Sequence, residues 1–249
     1  MHFIFLAMQN LLIETGNTAL KAALSEGMTL GKTFRYQGEK KTEFIISLIE
    51  KEKPSTVVLA SVYDIPAADE KRMRKACPDF LLLDPSHSGI LADYGIPSHL
   101  TFDRAAAIIG TRYLFKGKPC TLMDFGTTLT IDFIDADGTY LGGNISLGCR
   151  TRFKAVNRYS KALPSVNIPD NPPQTGMSTQ SSIEAGVISG IMFEIQGYVD
   201  SRPDNIVVFT GGDANYFAKR MKNSIFVVCN LVLIGLALIT DEYVERKTL

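Results

Sequence analysis

Histidine and cysteine are scarce in this chain, whose 249 residues include 3 His and 4 Cys. The cysteines (Cys77, Cys120, Cys149, Cys229) are widely scattered, with no C-x-x-C pair. That spacing argues against a disulfide framework and against a Cys/His zinc site, and fits buried thiols in a reducing cytosol. An excess of either charge is also missing. Twenty-six basic residues balance 26 acidic ones, so no global field favours a nucleic-acid backbone or an anionic membrane as partner. Long hydrophobic runs are absent: "LVLIGLALI" near the C-terminus is too short to span a bilayer and reads as a buried helix. The opening "MHFIFLAMQN" lacks the basic n-region and small-residue cleavage site of a signal peptide. Met8, directly before the first strand, is the expected natural start. A cytoplasmic protein bound to neither membrane nor nucleic acid is expected.

What is present is a core-forming composition, 45% hydrophobic and 21% charged, at a length that suits one or two domains. The patterning predicts strands over 9–14, 19–24 and 31–37, the first two joined by a tight turn. A helix over 39–53 follows, with Phe44, Ile45, Leu48 and Ile49 on one face and Pro54 as its stop. Buried strands at 56–62 and 80–84 enclose a helix at 66–76, and a Pro- and Gly-rich loop leads to a helix at 103–115. "KGKP" (116–119) punctuates the chain, and the order restarts. Strands are expected at 120–125, 128–135 and 139–146, then a helix over about 147–161 and a polar, Pro-rich loop at 164–177. A helix at 181–199, a strand at 205–212, a helix at 213–221, a strand at 225–228 and a helical tail complete it. The element order of the second half repeats that of the first, so two α/β halves are expected, 1–115 and 116–249.

One short pattern also occurs twice. "LIETGNTALKAA" (12–23) and "LMDFGTTLTIDF" (122–133) each end an apolar run on an acid, then a gap, a Gly and a Thr, and start another strand. Glycine at such a turn lets the backbone approach a ligand closely, and neighbouring Thr or Asn adds donors to an anion-binding concavity. An acid there repels phosphate unless a cation bridges the two. A single copy reads as an ordinary hairpin. Two copies in matching places of two repeated halves predict a grip on one triphosphate from both sides. "VVFTGGDA" (207–214) adds Thr210, Gly211 and Gly212 at a strand end, with Asp213 opening a helix, which suits a flat base and a phosphate. The "DFG" at 124–126 lacks the other kinase motifs, and the "GKT" at 31–33 lacks a P-loop's upstream Gly; both are chance matches.

Taken in order, "IETGNT", "DYGIPSHLTFDRAAAIIG", "MDFGTTLTIDFI", "GTYLGGNISLG", "KALPSV", "GMSTQSSIEAGVISG" and "FTGGDA" resemble the type III pantothenate kinase family. That family belongs to the superfamily of acetate and sugar kinases, heat-shock ATPases and actin. The resemblance implies two ribonuclease-H-like halves, each a three-stranded meander plus parallel strands with helices on both faces. It implies ATP-dependent phosphorylation of pantothenate, a Mg²⁺-type divalent ion, a monovalent cation (K⁺ or NH₄⁺) and a homodimer. The first ATP-phosphate loop would comprise Glu14, Thr15, Gly16, Asn17, Thr18, Ala19, Leu20 and Lys21, with Thr127, Gly211 and Gly212 also on the nucleotide. Asp124 would hold the monovalent cation. Asp103 would be the base for the substrate hydroxyl. Tyr94, Thr101, Phe102, Arg104 and Thr179 would join it around pantothenate. The sequence departs from the family in carrying Glu14 where most members have Asp, Thr101 where Gly is usual and Leu147 where Pro is common.

The residues by themselves leave other roles open. Asp103 before an apolar helix is also a good N-cap, and Arg104 reads equally as a surface charge or as a bidentate grip on a carboxylate. Another small-molecule kinase, or a nucleotide-binding regulator without turnover, is the alternative to a pantothenate kinase. The short chain, without insertions for a sugar pocket, argues against the former. Asp103, Arg104, Asp124 and Thr127 together argue against the latter.

Overall fold

The structure is a computed structural model that describes residues 9–248, the last of these by its backbone alone. The expected start at Met8 lies outside the described residues. The described chain divides into two compact units, one formed by the residues up to Tyr113 together with those from Leu231, the other by Leu114–Asn230.

In the first unit, strands β1 (Asn10–Thr15), β2 (Leu20–Glu26), β3 (Thr29–Tyr36), β4 (Thr56–Ser61) and β5 (Phe80–Leu83) form one sheet in the order β3-β2-β1-β4-β5. β1, β2 and β3 make an antiparallel meander, and β4 and β5 add parallel to β1. β1 and β4 are buried almost throughout, as central parallel strands covered on both faces must be. Leu11 and Ile13 of β1 and Val57 and Leu59 of β4 join one core with Ile45, Leu48 and Ile49 of helix α1 (Lys41–Glu52) and Met73 of α2 (Ala67–Ala76). By the two-residue period of a strand, Leu12 and Val58 face the other side. Helix α3 (Phe102–Leu114) follows, and its inner turns are apolar and buried.

The second unit repeats this plan. Strands β6 (Cys120–Phe125), β7 (Thr128–Ile134), β8 (Tyr140–Leu147), β9 (Ile206–Gly211) and β10 (Ile225–Val227) are ordered β10-β9-β6-β7-β8. The meander and the two parallel additions recur with the same senses. Helices α4 (Cys149–Tyr159), α5 (Thr179–Ser201) and α6 (Ala214–Ala218) complete the unit, its core centred on Met123, Phe125, Ile131, Phe209 and Phe217.

Two expectations are revised. The segment expected as a loop before α3 forms 3-10 turns over Pro85–Tyr94, opened by Asp84-Pro85 and closed by Gly95 in the left-handed region at φ 60°. The C-terminal helix α7 (Leu231–Thr248), placed with the second half by sequence order, packs on the first unit's sheet. Its Leu231–Leu233 turn, Leu236, Ala237 and Ile239 are all buried, so it must be covered whichever half it follows in sequence. α7 crosses α3 with backbones in contact: a Cβ on Gly235 would collide with the Ala106 carbonyl, and one on Gly110 would lie 3.0 Å from the Leu231 carbonyl oxygen. Glycine at both positions sets the seat of α3, and with it the seat of Asp103 in its first turn.

Candidate functional site

The repeated acids occupy the same place in the two sheets. Glu14 is the penultimate residue of β1, and Asp124 that of β6. In the first hairpin Thr15 pairs with Leu20, the Gly16 N–H donates to the Ala19 carbonyl at 3.0 Å, and Asn17 and Thr18 stand exposed at the tip. Thr15 and Leu20 are buried, so both can meet a ligand only through their backbones. Lys21, the cross-strand neighbour of Glu14, places Nζ 3.7 Å from its carboxylate. Burial pushes the Glu14 carboxyl up from its ordinary value. Lys21 opposes the shift, and the Asp103 carboxylate adds to it. Ionising Glu14 in place therefore costs stability as pH rises through its raised pKa. A bound cation would relieve that cost.

The second hairpin is built more tightly. Phe125 pairs with Leu129, the Gly126 N–H donates to the Thr128 carbonyl at 3.0 Å, and Gly126 and Thr127 are exposed. The Thr127 carbonyl accepts from the Gly148 N–H at 3.0 Å and from the Thr151 hydroxyl at 2.7 Å, which pins the turn to the start of α4. A Cβ on Gly148 would collide with the Gly126 carbonyl, so glycine is required there. Asp124 is paired in register with Thr130 on one side and Thr210 on the other. Paired residues share a face of the sheet, so Asp124 has hydroxyl-bearing neighbours where Glu14 has Lys21. Gly211 adopts φ 91°, and a Cβ there would overlap Asp124 Oδ1 and lie 2.6 Å from the Phe125 N and O. The missing side chain lets the Asp124 carboxylate pack directly against the Gly211 backbone. Gly212 is exposed next to it, and the Asp213 N–H donates to the Phe125 carbonyl at 3.2 Å. Burial raises the Asp213 carboxyl, opposed by Arg150 at 3.9 Å.

Asp103 lies one residue inside α3 rather than at its cap, and its Oδ1 accepts from the Arg104 N–H at 2.9 Å. The Ala105 N–H reaches the Thr101 carbonyl at 3.0 Å, so the helix begins before the acid. Thr101, Asp103 and Arg104 are half-buried, whereas Phe102 is a core side chain at 1% exposure and offers a pocket only its backbone. The Tyr94 hydroxyl donates to Glu242 of α7 at 2.7 Å, and burial together with that carboxylate pushes the phenol well up. Its carbonyl accepts from Arg112 Nη1 at 2.6 Å. Thr179, exposed at the first position of α5, follows the N-cap Ser178 in the second unit.

Within the first unit, then, Glu14, Lys21 and Asp103 come together. Within the second, Asp124 and Gly211 do, with Thr127 at the tip of the hairpin that Asp124 begins. Gly148 and Thr151, and Lys41 through its ammonium on the Gly16 carbonyl at 2.7 Å, hold the turns, and their residue types carry no recognisable pattern in the sequence. Among the described residues no group of three or more His, Cys, Asp and Glu is arranged to hold a metal by itself, and no helix is long and apolar enough to cross a membrane.

Residues 10–201 match the model of a family described as type III pantothenate kinase. A type III pantothenate kinase of Cytophaga hutchinsonii is 36% identical over 231 residues, covering 91% of this chain and 96% of the relative. One of Azobacteroides pseudotrichonymphae is 35% identical over 230 residues, covering 91% and 94%. Among solved structures, a Baf family transcriptional activator from Campylobacter jejuni superposes with a TM-score of 0.63 at 21% identity, covering 94% of this chain and 99% of that one. The activator of 2-hydroxyisocaproyl-CoA dehydratase from Clostridium difficile, with bound ADPNP, gives 0.56 at 14% identity, covering 97% of each. At such identities the structural likeness is one of fold alone.

Proposed function

The chain belongs to the type III pantothenate kinase family, and on that premise we propose that it transfers the γ-phosphoryl group of ATP to the primary hydroxyl of pantothenate. The products are 4′-phosphopantothenate and ADP, in the first step toward coenzyme A. The observation that carries the reading is that Asp103 lies near enough to Glu14 for its charge to raise the Glu14 carboxyl. That nearness puts a carboxylate able to accept the hydroxyl proton beside the turn proposed to hold phosphates. Phosphoryl transfer asks mainly for positioning and charge neutralisation. Glu14 to Lys21, with Thr127, Gly211 and Gly212, are the nucleotide-side groups of this reading. Arg104 grips the pantothenate carboxylate, with Tyr94, Thr101 and Thr179 as further pantothenate-side groups.

A divalent ion fits the residues present. The Glu14 carboxylate at the end of β1, beside the turn, matches an ion held by one carboxylate and the phosphates rather than by a protein-only cage. When bound, it neutralises charge on the transferring group. A monovalent ion fits Asp124, whose register partners Thr130 and Thr210 carry hydroxyl oxygens on the same face of the sheet. ADP release measured with pantothenate, hexoses and acetate as acceptors tests the function. Pantothenate alone should stimulate it, and stimulation by a hexose or acetate instead would overturn the reading.

We also infer a homodimer in the cytoplasm. The second unit exposes Leu141, Ile145 and Leu147 on the edge strand β8 and Phe193 on α5, the last at 75%. An apolar edge of this kind invites pairing. Ile145→Asp combined with Phe193→Asp should shift the mass in light scattering from two chains to one, with the melting of the monomer retained. A variant that stays dimeric would place the interface elsewhere.

A further inference from the structure

The first phosphate turn is held by a residue that has no place in the phosphate motif. Lys41, the first residue of α1, sends Nζ to the Gly16 carbonyl at 2.7 Å and to the Tyr63 hydroxyl at 3.2 Å, with the ammonium 5.3 Å from the Tyr63 ring centroid. The Tyr63 oxygen lies 3.1 Å from Thr15 Oγ1. Since the phenol oxygen accepts from Lys41, its own hydrogen is available to Thr15. Tyr63 is in turn fixed just past β4, where Ser61 Oγ accepts its N–H at 3.2 Å and donates to its carbonyl at 2.5 Å. Thr15, Lys41 and Tyr63 thus form one polar brace behind the turn.

Packing does not do this work. A cavity of about 570 Å³ opens on that flank, lined by Thr15, Asn17, Thr18, Lys41, Tyr63 and Ile65 among others. Gly16 carries the broad backbone freedom of its type, so an unbraced turn would sample several conformations. The second hairpin supports the same logic independently. Its Thr127 carbonyl is pinned by Thr151, in the first turn of α4, and by the Gly148 N–H just before it. α1 follows β3 as α4 follows β8, so in each unit the helix after the meander reaches back to fix a carbonyl of the adjacent phosphate turn.

We propose that Lys41 and Tyr63 are positioning residues that hold the first hairpin in its nucleotide-binding conformation, so that Asn17 and Thr18 meet the phosphates without prior ordering. The inference rests on the hairpin's proposed role in binding ATP. When only a fraction of a protein is binding-competent, its apparent affinity falls by that fraction, so a brace loss that leaves about a tenth of the turns ordered raises the apparent constant about tenfold. Lys41→Met keeps the stem and removes the donor. It is expected to raise the KM for ATP roughly tenfold while kcat and the KM for pantothenate stay within about twofold. Lys41→Arg should recover most of the affinity. Tyr63→Phe should act in the same direction, and the double variant should be little worse than Lys41→Met, because both changes cut one brace.

The ATP-induced rise in melting temperature is measured on the same proteins, so that nucleotide binding is read without turnover. If the wild type is stabilised by ATP but phosphorylates no pantothenate, the functional reading fails while the brace is still judged by the loss of that stabilisation in Lys41→Met. An unchanged ATP response in Lys41→Met, or in Tyr63→Phe where Lys41→Met does not fold, would overturn the proposal. So would a fall in kcat at unchanged KM for ATP, or a wild type that binds no ATP.

Discussion

Asp103→Asn is expected to lower kcat about 10²–10⁴-fold, the usual worth of a positioned base, with ATP-induced stabilisation near that of the wild type. Asparagine keeps the size of the side chain and an oxygen for the Arg104 N–H, which Asp103 Oδ1 accepts at 2.9 Å, so the first turn of α3 should be unaltered. What is lost is the ability to take the proton of the pantothenate hydroxyl. The substitution also removes the Asp103 charge that helps to raise the Glu14 carboxyl, so Glu14 should ionise more readily in the variant. That change does not restore a base beside Arg104. Asp124→Asn should behave differently, weakening nucleotide binding and changing the response to K⁺. Steady-state kinetics with melting curves on both variants separate the roles. Near-normal turnover in Asp103→Asn would refute the assignment.

Gly211→Ala should damage both the second turn and its proposed use of K⁺. A non-glycine residue in sparsely populated backbone territory costs about 1–3 kcal/mol, and Gly211 lies at φ 91°. The added carbon would in addition overlap the Asp124 carboxylate and crowd the Phe125 backbone. The carboxylate must then turn away from the place where the monovalent cation is proposed to bind. A fall in melting temperature of roughly 5–10 °C is expected, at about 2–4 °C per kcal/mol for a chain of this size. The rate in K⁺ should drop to the level that the wild type shows in Na⁺ at equal ionic strength. Gly212→Ala is the internal comparison, because a Cβ at Gly212 meets nothing within 4 Å and should leave the melting temperature almost unchanged. A Gly211→Ala protein with wild-type melting and an undiminished K⁺ response would show that the close contact of Asp124 with Gly211 has no such use.

The strands and helices were legible because each carries its own signal. Buried parallel strands such as "TVVLAS" are continuous apolar runs, and α1 shows its face through Ile45, Leu48 and Ile49. The repeat was legible for the same reason, since element order needs no long-range information. The seat of α7 was not: an apolar helix announces that it must be buried, never against which sheet. The 3-10 turns over Pro85–Tyr94 were hidden because proline and glycine there punctuate a helical turn as readily as a loop. In the candidate site the acids and turn glycines were visible, for their types at those positions need a ligand to make sense. Lys41 and Thr151 were invisible, because a lysine opening a surface helix looks like solvated charge until its ammonium is seen on the Gly16 carbonyl. Phe102 shows the converse. The family resemblance implied a pocket wall there, and the helix period turned its ring into the core.

The central claim is phosphoryl transfer from ATP to pantothenate. It is tested most directly by incubating the protein with γ-labelled ATP, a divalent ion and K⁺, with and without pantothenate, and following where the label goes. The account predicts label in pantothenate in one-to-one ratio with ADP, and almost no ADP when pantothenate is left out. Equal ADP formation without pantothenate, with the label released as inorganic phosphate, would contradict it.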